Sequence, residues 1–427
     1  MDVKIEKLVY GGQGLGHFEG QTVFVPFVLP EEVVRVQPVE RKKKFVRARI
    51  EQITTPSPAR VAPACRHFGV CGGCHYQHIP YEAQLEYKAQ ILRETLRRIG
   101  RVEWSGPIAA HAFPPLGYRN RAQWKIRAGP ENGRPKAGYF QAASSTLCPV
   151  SECPVLSPRL AETLAALGRM LDARQEPTWL QEVEAFADAA DDRVLLNASL
   201  DSFEGKAAEI AAAFHELHSG IESVLLLETK RERMHLAGPG FLHYEAAGHR
   251  YRVGHLSFFQ VNRFSVAELL RVVLGESAGR LALDLYAGVG FFAVPLAERF
   301  ESVIALESNP AAARDLQANL EPCGARAQHV QNDVESFLAG WTESPDLVVL
   351  DPPRAGVSPK ALARLVQLAP QQVTYLSCDP ATLGRDLASF IGTRESPGPY
   401  EIREMHLFDV FPQTYHIESL VVLRRRE

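Results

Sequence analysis

The sequence predicts a three-part α/β chain: a small N-terminal β-barrel, a central α+β region, and a C-terminal domain built on a mostly parallel, doubly wound sheet. Three observations predict it. Short apolar runs separated by glycine turns fill the first 60 residues, the proline-rich segment Thr54–Pro63 breaks that pattern, and beyond about residue 260 short apolar strands alternate with helix-like stretches. A chain of 427 residues also exceeds what one hydrophobic core supports. The three parts are placed at 1–60, 61–255 and 256–427.

Val3–Val9, Thr22–Phe27, Val33–Pro38 and Phe45–Ile53 read as the barrel strands, with Gly11, Gly12, Gly14, Gly16 and Gly20 as turn residues. Small barrels of this kind bind oligonucleotides. Tyr81–Ile99 follows as a helix studded with Arg and Lys. In the central region the strand-like runs Gln123–Arg127, Val194–Leu200 and Ser223–Thr229 alternate with the helical Pro158–Leu171 and Lys206–Leu217. In the last part, Ala282–Tyr286, Ser302–Leu306, Leu347–Leu350 and Val373–Ser377 are apolar strands each followed by a helix pattern. Ile402–Phe408 and Ile417–Leu423 then read as two closing strands joined by a loop containing Pro412.

The apolar fraction of 46% and charged fraction of 23% are ordinary globular values and exclude disordered and fibrous classes. No apolar run reaches the roughly 18–20 residues of a membrane helix. The opening MDVKIEKLVYGG carries charge where a signal peptide is apolar, so the expectation is a cytoplasmic protein without a membrane partner. Nothing in the sequence points to an obligate protein partner.

A net charge of −3 announces no polyanionic partner, but its distribution is uneven. Between Arg93 and Lys136, ten Lys/Arg face three acids, Glu94, Glu103 and Glu131, and Arg41-Lys42-Lys43-Lys44 forms a second basic cluster. Such clusters attract phosphates, although a solvated charged face produces the same pattern. Tyr118-Arg119-Asn120-Arg121 with Trp124 interleaves charge and aromatic surface, as single-stranded RNA binding requires. The alternative is a basic strand around a core tryptophan.

Leu283-Asp284-Leu285-Tyr286-Ala287-Gly288-Val289-Gly290 sets a glycine turn between a buried strand and a helix, where backbone amides can approach a ligand closely. Glu307, at the end of the next strand, offers a carboxylate to ribose hydroxyls. Phe291-Phe292-Ala293 replaces the third glycine of a pyrophosphate-binding loop, so a nucleoside cofactor without phosphates, S-adenosylmethionine (SAM), fits better than NAD. The domain therefore reads as a Rossmann-like SAM-dependent methyltransferase fold.

Asp351-Pro352-Pro353-Arg354 ends the third of these strands and Ser377-Cys378-Asp379-Pro380 the next. Asp379 suits an N-cap and Pro380 the first helical position, so Cys378 is expected beside a helix N-terminus, which lowers a thiol's pKa. A thiolate there matches methylation of uracil at C5. That carbon attacks a sulfonium methyl only after a nucleophile has added at C6, and a base must then remove the C5 proton. Glu418, at a strand start, is the candidate base, although its spacing also suits a solvent-facing strand residue.

Cys65, Cys71 and Cys74 form C-x5-C-G-G-C, and a fourth ligand would come from Cys153 or Cys148. Four thiolates suit zinc or a [4Fe–4S] cluster. His67, His75 and His78 lie nearby and read as surface or packing residues.

The strings Phe258–Asn262 (FFQVN), LDLYAGVG, Asp351–Gly356 (DPPRAG), Ser377–Leu387 (SCDPATLGRDL) and Phe411–Leu423 (FPQTYHIESLVVL) resemble the RNA uracil-C5 methyltransferases, and the N-terminal strands resemble their TRAM barrel. The resemblance covers nearly the whole chain. It implies Cys378 as nucleophile and Glu418 as base, with Gln260, Tyr286, Glu307 and Asp351 contacting SAM or the target base and Asp333 near the adenosine. It favours a [4Fe–4S] cluster held by Cys65, Cys71, Cys74 and Cys153, because Cys153-Pro154-Val155-Leu156 matches the family's pattern; Cys148 ranks second. Phe291 departs from the family, which usually has a small polar residue there. The implied partner is RNA, with 23S ribosomal RNA ahead of tRNA. A catalytically idle RNA-binding protein and a cytosine-C5 enzyme are the remaining readings. Retention of both Cys378 and Glu418 argues against the first, and the lack of a Pro-Cys motif against the second.

Overall fold

The computed structural model describes residues 1–129, 133–173, 179–393 and 395–427; Glu131, counted in the basic segment, lies outside them. Asp2–Val9, Gln13–Phe18, Gln21–Pro26, Val33–Arg41 and Phe45–Thr55 close into a barrel around Val3, Ile5, Val23, Val25, Val34 and Val36. Gln13–Phe18 corrects the sequence reading, which made Gly14 a turn residue. A Cβ on Gly14 would stand 2.3 Å from Val28 Cγ2, so the position needs glycine for close approach inside the barrel, not for a turn.

The central sheet runs Arg233–Ala237, Ile221–Glu228, Val194–Leu200, Leu180–Ala187, Arg121–Ala128, Pro135–Phe140 and Leu147–Pro149 in spatial order. Pro158–Asp172 and Ala207–His215 bury their apolar faces in its core. Ser157 caps the first of them, accepting the Leu160 N–H, with Pro158 preset for the first turn.

The C-terminal sheet runs Ala327–Val330, Phe300–Leu306, Gly279–Leu285, Leu347–Leu350, Gln372–Ser377, Glu418–Arg425, Tyr400–Phe408 and Ala109–His111. The first five are parallel, and Glu418–Arg425 inserts antiparallel beside Gln372–Ser377. Strand order reverses between Gly279–Leu285 and Leu347–Leu350, which opens a crevice at their carboxyl ends. Two braces come from much earlier in the chain. Ala109–His111 adds an edge strand, and the helix Tyr81–Thr95, with the π turn Leu96–Gly100, packs Ile91, Leu92 and Leu96 into the core of Leu283, Leu350 and Tyr375. Among the described residues no helix is long and apolar enough to cross a membrane.

Candidate active site

The strand Gly279–Leu285 delivers Tyr286, at φ 69°, into the glycine turn. Glu307 holds that turn from the neighbouring strand end: Oε2 accepts the Gly288 N–H at 2.9 Å and Oε1 the Asn309 N–H at 2.6 Å. Both carboxylate oxygens keep a lone pair for a further donor. Asp284 is 0% exposed and neither of its carboxyl oxygens has a hydrogen-bond partner. Burial, with Asp351 and Glu307 nearby, pushes it up to about 8. The sequence reading treated Asp284 only as part of the strand; the missed signal was an acid inside the apolar run Leu281–Leu285.

Asp333 caps Val334–Gly340 by accepting the Ser336 N–H at 2.8 Å. It lies close enough to Tyr286 to help burial and Asp386 push that phenol up to about 12. Gln260 is half-buried between the core residues Phe259 and Val261. The Phe259 ring stands 5.4 Å from that of Phe291, which brings this segment against the glycine turn. Phe291 also packs on Tyr251 and Phe292, so the position is filled by core aromatic packing.

Cys378 and Glu418 meet because their strands are neighbours. Ser377 pairs with Ser419, and the Ser419 hydroxyl donates to the Ser377 carbonyl at 3.2 Å. Asp379 caps Pro380–Ile391 as expected, its Oδ1 accepting from Ala381 at 2.9 Å and Thr382 at 3.0 Å. The thiol itself corrects the expectation. Burial first, then the carboxyls of Glu418 and Asp351, push Cys378 up to about 11, outweighing the favourable helix N-terminus. Glu418 is only 9% exposed, and burial and Asp351 hold its carboxyl well above the usual range. Burial pushes Asp351 up to about 7. Arg354 opposes these shifts at both Cys378 and Glu418.

Arg354 and His416 were missed as site residues although the DPPRAG and HIES strings contain them. Arg354 Nη2 stands 3.3 Å from His416 Nδ1, and burial with surrounding cations pushes His416 down to about 3, leaving it neutral at physiological pH. Buried contacts fix the loops that carry these groups. Asp386 accepts from Tyr375 Oη at 2.6 Å and Val357 N at 2.8 Å, while Arg385 donates to the Ala355 carbonyl at 2.8 Å. Lys88, fully buried, donates to Asp409 at 2.5 Å and to the Phe411 carbonyl at 3.1 Å.

Cys65, Cys71, Cys74 and Cys153 are half-buried free thiols and Cys148 is buried. Burial pushes Cys71 up to about 11 and Cys74 up to about 12, with Cys65 and Cys153 contributing to both and Cys148 to Cys71. The thiols are thus neighbours, yet among the described residues no three His, Cys, Asp or Glu side chains converge closely enough to hold a single metal ion. His78 Nε2 donates to the Val28 carbonyl at 3.2 Å, and His75 packs on Tyr415 with ring centroids 4.5 Å apart.

The expected stacking surface at 118–124 is a second correction. Trp124 is 0% exposed and donates to the Tyr139 hydroxyl at 3.1 Å. Tyr118 is buried and donates to the Pro412 carbonyl. Arg121 pairs with Glu184, donates to the Ser257 carbonyl and lies 4.4 Å over the Phe186 ring. Alternation turns Ala122, Trp124 and Ile126 into the core, with Arg121 on the opposite face, and Lys125, Lys136 and Arg98 pair with Glu182, Asp172 and Glu94. Arg41, Lys43 and Lys44 remain exposed on the barrel hairpin, and Phe258 is 57% exposed beside Gln260. Lys43→Gln with Lys44→Gln is expected to weaken RNA binding and reduce the salt slope by about 0.7–0.9 per lysine, without changing SAM affinity. Titrations at several salt concentrations check this; an unchanged slope removes the hairpin from the RNA path.

The family description tRNA (Uracil-5-)-methyltransferase matches residues 342–426, and the TRAM domain matches residues 1–50. The 23S rRNA (uracil(1939)-C(5))-methyltransferase RlmD of Alkalilimnicola ehrlichii is 32% identical over 448 residues, covering 99% of this chain and 96% of that one. The protein of the same name from Klebsiella pneumoniae strain 342 is 33% identical, covering 97% and 93%. Among solved structures, the Pyrococcus abyssi tRNA (uracil-54, C5)-methyltransferase, in complex with S-adenosyl-L-homocysteine, matches with a TM-score of 0.74 at 25% identity, covering 99% of this chain and 100% of its own. Identity above 30% across nearly the full length of both chains leaves one conclusion: this chain belongs to the RNA uracil-C5 methyltransferase family and opens with a TRAM domain.

Proposed function

We propose that the chain methylates C5 of a uridine in 23S ribosomal RNA, with Cys378 as nucleophile and Glu418 as base. The observation that carries this reading is the meeting of a thiol and a buried carboxyl on adjoining strands at the carboxyl edge of the sheet. Cys378 Sγ, as the thiolate that Arg354 favours, adds to C6 of the uracil, and the C5–C6 electron pair moves to make C5 nucleophilic. SAM supplies the electrophilic methyl group. The Glu418 carboxylate, in the ionised form that Arg354 favours, then takes the C5 proton, and the electrons of the C5–H bond expel the sulfur from C6 as the thiolate. Arg354 is the cation that favours the ionised forms of both groups.

The pocket residues fit SAM by their chemistry. Glu307 can accept from the ribose hydroxyls, Asp333 is assigned to the adenosine, and Tyr286 and Gln260 are assigned to contacts with SAM or the target base. Asp351 and the orphaned oxygens of Asp284 suit a positively charged group. Losing hydrogen bonds to a charged acceptor costs about 1.5–3 kcal/mol each, so Glu307→Ala should weaken SAM about ten- to a hundredfold. Protons on Asp351 at about 7 and Asp284 at about 8 must leave to meet a cation, so SAM affinity should rise as pH is raised through that window. Calorimetry from about pH 6 to 9 checks both statements; flat affinity or an unaffected Glu307→Ala removes these carboxylates from the site.

Cys65, Cys71, Cys74 and Cys153 are the set proposed to hold a [4Fe–4S] cluster. Support for Cys153 comes from Cys74, whose thiol neighbours are Cys153, Cys71 and Cys65, while Cys71 has both Cys148 and Cys153 beside it. Methyl transfer needs no redox step, so the group's role would be to hold the loop that presents His75 to Tyr415.

Ribosomal RNA is favoured over tRNA because the two relatives described above, at 32% and 33% identity, are named for 23S rRNA, whereas the tRNA enzyme described stands at 25%. Mapping 5-methyluridine in a deletion strain against its parent tests this. Loss of one site in 23S rRNA is expected, and loss confined to tRNA contradicts it.

A further inference from the structure

The barrel reaches into the catalytic site. Tyr10, in the turn after Asp2–Val9, donates its hydroxyl to Asp379 Oδ2 at 3.2 Å and sets its ring edge-on to Tyr415, centroids 5.9 Å apart at 90°. Gly12, at φ +81°, lets the turn close on this surface: a Cβ there would lie 3.0 Å from Tyr415 Cδ1. Asp379 follows Cys378 directly, and its Oδ1 is already committed to the N–H groups of Ala381 and Thr382. The Ser377 hydroxyl closes the joint from the other side, 3.1 Å from the Asp379 carbonyl. Tyr415 in turn packs 4.5 Å from His416, the neighbour of Arg354. Burial and the Asp379 carboxylate hold the Tyr10 phenol well above its usual range, so it stays a donor across physiological pH.

We propose that Tyr10 is a positioning residue for the nucleophile: its hydroxyl locks the second carboxylate oxygen of Asp379, which fixes the joint carrying Cys378, so that the TRAM barrel completes the catalytic site. The inference rests on Cys378 being the nucleophile. With Tyr10 in place both oxygens of Asp379 are engaged and its rotamer is set from two directions. Without it, Oδ2 is free and the Asp379 carboxylate is held by the helix cap alone, with only the backbone contacts to Ser377 and Thr382 left to steady the joint. Reacting atoms tolerate little displacement: about 1 Å costs on the order of a hundredfold in rate, so a partial loosening should cost about five- to twentyfold.

The test uses the full chain and a transcript carrying the mapped uridine. Tyr10→Phe keeps the ring against Tyr415 and removes only the hydroxyl. Asp379→Ser keeps a helix cap but offers no second oxygen to Tyr10. Tyr10→Phe should lower kcat about five- to twentyfold, leave the KM for RNA and the melting temperature unchanged, and alter the pH profile of Cys378 alkylation by iodoacetamide. Since both residues act through one contact, the double variant should be no slower than the slower single variant. A Tyr10→Phe enzyme with kcat within twofold of the parent, a change in KM alone, or multiplying losses in the double variant would overturn the inference. Cys378→Ala run alongside separates the two levels. If it stays active, the nucleophile assignment fails and takes the inference with it; if it is inactive while Tyr10→Phe behaves as the parent, only the role of Tyr10 fails.

Discussion

Cys378→Ala is expected to abolish methyl transfer, by roughly 10⁴–10⁶-fold on the scale of nucleophile deletions, and to leave no covalent complex with RNA. Glu418→Gln is expected to fail differently. It keeps the shape of the side chain but cannot accept the C5 proton, so addition and methylation proceed and elimination stalls. The uracil must first leave its stack to reach the pocket, after which the two residues act in sequence. On a denaturing gel, Glu418→Gln should therefore show a protein–RNA band carrying label from the SAM methyl group. Normal turnover by Glu418→Gln, or a band with Cys378→Ala, contradicts the assignment.

The second large effect concerns the cysteines. Protein purified without oxygen should be brown and contain about four irons per chain, the stoichiometry of a cubane held by four thiolates. Cys153→Ser should lose the iron and the visible absorbance, while Cys148→Ser should keep both. Colourless protein with stoichiometric zinc would replace the proposed group, and retention of iron by Cys153→Ser would exchange the fourth ligand. The thiols of Cys71 and Cys74, pushed up to about 11 and about 12 in the free protein, imply proton release on metal binding, so assembly should be slower at lower pH.

The parallel strands were legible because each is a short apolar run buried on both faces, as Leu347–Leu350 shows with four buried residues in succession. Gln13–Phe18 was hidden by its glycines, whose reason for being there is the proximity of Val28 across the barrel, which local sequence does not record. Ala109–His111 carries no period of its own and becomes a strand only by pairing with His406–Phe408. At the site, Cys378, Glu418 and Glu307 could be placed because each sits at a strand end, and strand ends on one edge converge. The charge state of Cys378 could not be read. Its helix N-terminus is local, but burial first, and then Glu418 and Asp351 from other strands, reverse the expected shift. Alternation around Trp124 gave two faces without saying which one was covered, and the covered face held the tryptophan. Tyr10 and Asp379 are 369 positions apart, so no local signal joins them.

The most direct measurement is the mass of the adduct trapped by Glu418→Gln. After digestion with protease and ribonuclease, the account predicts a single modified peptide in which Cys378 carries one uridine nucleotide bearing one methyl group. An adduct on any other cysteine, or a Cys378 adduct whose uracil lacks the methyl group, would contradict the order of addition, methyl transfer and proton removal assigned to this site.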